Sequence, residues 1–183
     1  MSMWLFGYGS LIWRPDIKFL AREPARLQGW VRRFWQGSHD HRGLPHSPGR
    51  VVTLVERADG HCDGVAYLVD ADTIEETFEN LDHREKNGYE RYSVTLQLAQ
   101  RPTAIPAVTY IAPEGNHAYL GPAPLTELAA QIRTSQGPSG HNAEYLFALA
   151  AALRELDAHD PHVFELEARL KGGIVDGEIG WGN

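Results

Sequence analysis

Residues 51–69 read VVTLVERADGHCDGVAYLV, and the fold class turns on them. Apolar and polar positions alternate around Val51, Thr53 and Val55, the two-residue period of a strand with one covered face. Asp59-Gly60 is a dipeptide suited to a hairpin turn, and Val65 to Val69 is a second β-branched and aromatic run. The expected unit is strand, turn, strand. Runs of the same character recur outward from it at Trp4 to Tyr8, Gly29 to Gln36, Tyr92 to Leu98 and Ala107 to Ile111. Tyr92, Val94 and Leu96 repeat the alternation, which suits an antiparallel sheet with one buried face or a small barrel.

One helix interrupts this region. Asp72 is its expected N-cap with Glu75 three residues on, and Ile74, Phe78 and Leu81 share a face. It should end near His83, before Gly88. After Gly121 the period becomes helical. Pro124 opens a helix with Leu125, Leu128 and Ile132 inward, and Asn142 caps another carrying Leu146, Leu149, Leu153 and Leu156. A third is expected from Asp160-Pro161 to Gly172. Strands come first and helices late, without β-α-β alternation, so the expected class is α+β, and the order argues against a doubly wound nucleotide fold.

The chain has 183 residues, enough for one domain spanning 1–183 with a core that needs no covalent staples. A net charge of −7 argues against a nucleic-acid-coating surface. Cys62 is the only cysteine, which excludes an intramolecular disulfide and any zinc site needing two thiolates, and fits the cytoplasm. The start, MSMWLFGYGSLIWRP, lacks the basic segment of an export signal. The uncharged run Tyr145 to Leu153 has nine residues, whereas a membrane-spanning helix needs about 20. A monomer without membrane insertion is expected, since no coiled-coil stripe is evident.

Four segments are candidates for chemistry. FGYGSLIW, Phe6 to Trp13, runs from a strand into a turn whose successive N–H groups suit a carboxylate or an oxyanion; it also reads as a plain strand-end turn. LDHREKNGY, Leu81 to Tyr89, places Glu85 just beyond a helix, either as a reacting group or as part of a solvated charge cluster. GSHDHRGLPHSPGR, Gly37 to Arg50, holds His39, Asp40, His41 and His46, which as residue types can ligate a metal. No helical pair or second cluster completes such a site, so a polar loop over a pocket fits better, with Arg42 or Arg50 as a clamp for a substrate carboxylate. GPSGHNAEYL, Gly137 to Leu146, is a hinge or an ordinary helix connection. Cys62, beside His61, reads as a strand start and not as a catalytic thiol, and Ser10 has no base near it in sequence.

Taken in order, FGYGSLIW, RRFWQGSHDHRG with PGRVVTLVE, LDHREKNGY, YLGPAPL and GPSGHNAEYL resemble the ChaC-type gamma-glutamylcyclotransferases, from about Met3 to about Leu156. The tail from Leu156 to Asn183 has no clear counterpart in this resemblance. The fold it implies is a small mixed β-barrel with surrounding helices. The reaction it implies is cleavage of glutathione, a small-molecule substrate, to 5-oxoproline and cysteinylglycine by attack of the substrate's own α-amine on its γ-carbonyl. It further implies that Phe6, Gly7, Tyr8, Gly9, Ser10 and Leu11 hold the γ-glutamyl group and that Glu85 is the acid/base. Arg42 and Tyr145 are added as pocket residues.

Such a reaction suits a sparse site. Ring closure is intramolecular, so folding the substrate into its reactive conformer supplies much of the acceleration and no metal or cofactor is required. One carboxylate of raised pKa can take the amine's proton and give one to the leaving nitrogen. Burial against Trp4, Tyr8 and Trp35 is expected to raise Glu85, with Arg84 and Lys86 pointing away from it. Alternatives are the same cyclisation on another gamma-glutamyl amine or dipeptide, and a non-catalytic gamma-glutamyl-binding regulatory protein.

Overall fold

The computed structural model describes residues 1–180, with side chains through Gly172. Strands β1 (Met3–Gly7), β2 (Ala21–Ser38), β3 (Gly49–Val69), β4 (Glu90–Leu98) and β5 (Ile105–Ile111) close a barrel in the order β1-β3-β2-β4-β5. β5 returns to β1 in parallel at Leu5↔Val108, and every other neighbouring pair is antiparallel. Closure leaves no unpaired sheet edge. The strand period sorts the core: Phe6 joins the main cluster with Phe34, Val65 and Leu96, while its neighbour Leu5 faces the other way, against Phe78 and Leu81.

Residues 51–69 are not a hairpin. β3 runs unbroken through Asp59-Gly60, and residues 57–60 stand opposite Gly29 alone, between the pairs Trp30↔Glu56 and Gln28↔His61. The dipeptide marks a bulge in a long strand. The partner that makes this possible, Ala21 to Gln28, was hard to see because only Ala25 and Leu27 of it are buried while charged residues and Pro24 alternate with them. The true β2–β3 connection is the loop 39–48.

Helix α1 (Ile74–Arg84) is preceded by a 3-10 turn, Ala71–Thr73, capped by Asp70, whose Oδ1 accepts the Asp72 N–H at 3.1 Å; the N-cap of α1 itself is Thr73, with no side-chain bond, and not Asp72. α2 (Leu125–Thr134) begins after Pro124 as expected, with Leu128 and Ile132 buried. Between α2 and α3 lies a ribbon of β6 (Gln136–Gly137) and β7 (Gly140–His141). Asn142 opens α3 (Asn142–Glu155) but does not cap it. Its side chain accepts the Arg50 N–H at 2.7 Å and donates to the Arg50 carbonyl at 2.8 Å, tying α3 to β3 instead. α4 (Pro161–Gly180) passes through Gly172 rather than stopping there. Leu146, Leu149, Leu153, Val163, Leu166 and Leu170 bury the helical layer in the main core. Of the tail that the motifs did not cover, 181–183 lie outside the described residues.

Candidate active site

β1 ends at Gly7 and the chain turns sharply, with the Ile12 N–H on the Gly9 carbonyl at 3.0 Å and the Arg14 N–H on the Ser10 carbonyl at 2.7 Å. Three buried side chains fix this turn. Arg32 Nε donates to the Tyr8 carbonyl at 2.8 Å, the Tyr8 hydroxyl to the Tyr110 carbonyl at 2.5 Å, and the Tyr67 hydroxyl to the Leu11 carbonyl at 2.7 Å. Arg32 is 1% exposed, and its other nitrogens bond the Asp160 carboxylate and the Asp63 carbonyl, so the buried charge is fully paired. Among the described residues no partner meets the N–H groups of Gly9, Ser10 and Leu11. Successive free N–H groups in a turn suit negative charge, and all three residues line a cleft. A Cβ on Gly9 would sit 3.0 Å from the Tyr145 hydroxyl and 3.1 Å from Val52 Cγ2, so the turn can approach that wall only with glycine. Gly7 is buried behind the turn and lines no cleft; a Cβ there would meet Leu11 Cβ at 2.8 Å.

Glu85 follows α1 by one residue, its N–H bonded to the Leu81 carbonyl at 2.8 Å. Its side chain is 18% exposed and makes no hydrogen bond among the described residues. Burial pushes its pKa up to about 7; Arg84 opposes the rise and the charge of Asp40 adds to it. Arg84 therefore does not point away: its Nε lies 4.0 Å from Glu85 Oε1, while its terminal nitrogens donate to Ser10 Oγ at 2.9 Å and the Pro15 carbonyl at 3.2 Å. That guanidinium joins the end of α1 to the turn. Lys86 is exposed and forms no ion pair with Glu85.

The aromatic wall differs from expectation. Trp4 lies under the Arg101 guanidinium, 5.3 Å away, and Trp35 uses its carbonyl to accept the N–H groups of Leu120 and Gly121; neither borders Glu85. Tyr8 does line the cleft with Glu85, as expected, and Tyr89, Tyr110 and Tyr145 stand there in place of the tryptophans. Burial pushes all four phenols upward, so they stay neutral. The Tyr89 hydroxyl donates to the Val52 carbonyl at 2.7 Å, and the Tyr145 hydroxyl accepts the Val52 N–H at 3.3 Å.

Two clefts meet at Ser10, Glu85, Tyr89 and Tyr145. The inner one is walled by Phe6, Tyr8, Gly9, Leu11 and Val52. The outer one is walled by Trp13, Arg14, Asp40, Arg42, Asn87 and Ser139. Arg42 presents a nearly buried guanidinium to the outer cleft, held by the His141 carbonyl at 3.1 Å and lying 5.9 Å from the Tyr145 ring centre. Arg50 is no clamp: it is consumed by Gln131 Oε1 at 2.8 Å and the Gly121 carbonyl at 2.6 Å. His39 and His46 border neither cleft, and among the described residues no three His, Cys, Asp or Glu side chains converge on a metal position. Cys62 is buried and its thiol is pushed up to about 12 by that burial. Sequence reasoning missed Trp13 and Arg84 as wall residues, and passed over Tyr89, although it stands inside the LDHREKNGY segment.

A family model described as ChaC-like protein matches residues 3–172. The chain belongs to this family. It is similar to the glutathione-specific gamma-glutamylcyclotransferase 1 of Danio rerio, 43% identical over 178 residues, 94% of this chain and 91% of that one. Against the glutathione-specific gamma-glutamylcyclotransferase of Schizosaccharomyces pombe the identity is 39%, with 93% of each chain covered. A crystal structure of the gamma-glutamyl cyclotransferase specific to glutathione from yeast superposes with a TM-score of 0.88 at 30% identity, covering 93% of this chain and 96% of that one. A more distant gamma-glutamyl cyclotransferase, 15% identical with a TM-score of 0.58, shares the fold alone. This ChaC-like protein thus places its barrel, its N-terminal turn and Glu85 in a fold shared with cyclising enzymes.

Proposed function

We propose that the protein is a glutathione-specific gamma-glutamylcyclotransferase, a lyase releasing 5-oxoproline and cysteinylglycine. The observation that carries the reading is the Glu85 carboxylate, hydrogen-bonded to no described residue, at the junction of the two clefts, the inner of which is also lined by Gly9, Ser10 and Leu11 of the turn. The γ-glutamyl group occupies the inner cleft, with the scissile amide beside Glu85 and the cysteinylglycine part in the outer cleft. Phe6, Tyr8, Leu11 and Tyr145 shape the inner space, and Ser10 stands at the junction.

Glu85 accepts a proton from the substrate's α-ammonium, and the freed amine attacks the γ-carbonyl carbon. The five-membered ring closes as charge moves onto the carbonyl oxygen, which the turn's N–H groups stabilise. Protonated Glu85 then gives its proton to the cysteinyl nitrogen, and the C–N bond breaks. The ring nitrogen loses two protons over the cycle and the leaving amine gains two, so Glu85 ends as it began. A pKa of about 7 suits a group that must both take and return a proton near neutrality. Ring closure within one molecule supplies the proximity term, so the residues present suffice without a cofactor.

We further propose that residues 1–183 act as one domain, as a monomer in the cytoplasm, taking a small molecule and not nucleic acid. The single cysteine and the net charge of −7 support this, and no helix among the described residues is long and apolar enough to cross a membrane. The test is release of 5-oxoproline from reduced glutathione and from other γ-glutamyl compounds, by the native protein and by Glu85→Gln. Release by the native protein only, mainly from glutathione, is expected. Saturable binding without release would favour a non-catalytic binding protein.

A further inference from the structure

Glu85 makes no hydrogen bond through its side chain among the described residues, so its place in the site is set by the backbone that carries it. That backbone is the turn of residues 85–89, from which Glu85, Asn87 and Tyr89 all line a cleft. The turn bends through Gly88 at a φ of +93°, and a Cβ there would collide with Asn116 Oδ1 and lie 2.7 Å from Gln36 Nε2. Only glycine lets the chain press this closely on those two side chains.

The two side chains form a closed amide pair. Gln36, on β2, is wholly buried; its Nε2 donates to Asn116 Oδ1 at 3.0 Å, and Asn116 Nδ2 donates to Gln36 Oε1 at 2.9 Å. Asn116, in the loop after β5, uses its remaining capacity on that loop: Nδ2 donates to the Pro113 carbonyl at 2.7 Å, and Oδ1 accepts the Ala118 N–H at 2.9 Å. One N–H of Gln36 is left, and it goes to the Asn87 carbonyl at 2.9 Å. The Asn87 side chain returns the bond, its Nδ2 donating to the Gly37 carbonyl at 3.1 Å. A buried polar network satisfied in this way is rigid. Gln36 and Asn116 line neither cleft, so they meet no substrate and can act only through the turn.

We propose that the Gln36–Asn116 pair is a positioning element of the reaction, holding the turn 85–89 so that Glu85 stands where it can exchange a proton with the substrate's amine and its leaving nitrogen. This rests on Glu85 being the acid/base. A misplacement of about 1 Å in a reacting group can cost about 100-fold in rate.

The test uses Gln36→Met, which keeps the side chain's length and removes every bond it makes. Asn116→Ser, a smaller change at a partly buried position, opens the same ring should the first variant not fold. Leu166→Ala, in the buried helical layer and bordering neither cleft, controls for lost stability. Each substitution exchanges one neutral group for another. The groups around Glu85, namely Arg84, Asp40, Tyr8, Tyr89, Tyr110 and Tyr145, are all retained, so a change in its titration reports its placement. In both pair variants kcat for 5-oxoproline release is expected to fall about 10- to 100-fold, with KM for glutathione within about twofold of native. The Glu85 carboxyl, followed by NMR without substrate, should titrate below its native value of about 7, because a loosened turn admits water to it. In Leu166→Ala both should match the native protein. Native kcat or a native titration in a folded pair variant would overturn the proposal, as would equal losses in the control. Full activity in Glu85→Gln would overturn the acid/base reading and this proposal with it, whereas an inactive Glu85→Gln beside a native titration in the pair variants would overturn the proposal alone.

Discussion

The inner and outer clefts are built in different ways. The inner one is made by the barrel: its turn leaves β1 and is fixed by Arg32, Tyr67 and Tyr8 through buried hydrogen bonds of 2.5–2.8 Å. The outer one is made by connections, the loop 39–48 and the ribbon before α3, with Arg14 and Ser139 at its rim. On the proposed reading, the half of the substrate that reacts meets parts that the core holds still, and the half that leaves meets connecting segments. If this division is right, changes to the inner cleft should cost rate or stability, and changes to the outer cleft should cost selection.

The largest effect is expected for Glu85→Gln, which should lower kcat by about 10²- to 10⁴-fold. The same variant should gain stability, and the sign follows from linkage. Folding raises the Glu85 pKa from 4.5 to about 7, so the folded state holds this proton more tightly than the unfolded chain. The stability associated with that proton is present below about pH 4.5, is lost as pH rises, and is gone above about 7. Glutamine does not titrate, so the variant should be more stable than the native protein by on the order of 2 kcal/mol at pH 8, with the excess vanishing near pH 4. Denaturant melts at the two pH values would show it, and an equal offset at both would break the reading of Glu85 as a strained carboxylate.

Arg32→Met comes next. It strands the Asp160 carboxylate and the Tyr8 and Asp63 carbonyls, and should cost about 3–5 kcal/mol in denaturant unfolding. A loss below about 1 kcal/mol, the range of an exposed pair, would show that the turn is not held from behind. Arg42→Ala, in the outer cleft, should raise KM for glutathione about 10-fold with kcat little changed. A fall in kcat with constant KM would place Arg42 with the reacting groups and erase the division. The smallest effect is expected for Arg84→Met. It removes a cation that lowers the Glu85 pKa, so the acidic limb of kcat/KM, expected near pH 7, should move to higher pH. A limb that stays in place would mean that Arg84 only joins α1 to the turn.

How much of this the sequence displayed depended on the range of the interactions. The alternation at Val51, Thr53 and Val55 and the shared face of Ile74, Phe78 and Leu81 are local, and each was legible. The Asp59-Gly60 bulge was misread as a hairpin because a turn dipeptide fits both, and the strand that decides between them, Ala21 to Gln28, hides its two buried residues among charges. Asn142 looked like a cap for the same reason: its amide has two equally good uses, and only the fold brings the Arg50 backbone to it. The turn and Glu85 were visible through the resemblance, in motifs that occupy contiguous sequence. Of the tyrosine wall only Tyr8 and Tyr145 were named; Tyr89 and Tyr110 were not, since the four come from separate segments that only the fold brings together. Arg32 stands in the RRFWQGSHDHRG motif, but its burial and its hold on the turn were not legible, because a buried arginine and a solvent-facing one look alike in a strand.

The state of Cys62 has a consequence for a protein whose proposed substrate is itself a thiol. Mixed disulfides form when a thiolate attacks a disulfide, at rates that scale with the thiolate present and with access to it. Cys62 is 1% exposed, and with a pKa pushed up to about 12 it is almost wholly protonated at neutral pH. Oxidised glutathione entering the clefts therefore finds nothing to exchange with. The chain can work in a pool of thiols and disulfides of any ratio without becoming covalently attached to it, and its turnover should follow the amount of reduced substrate and not its own redox history.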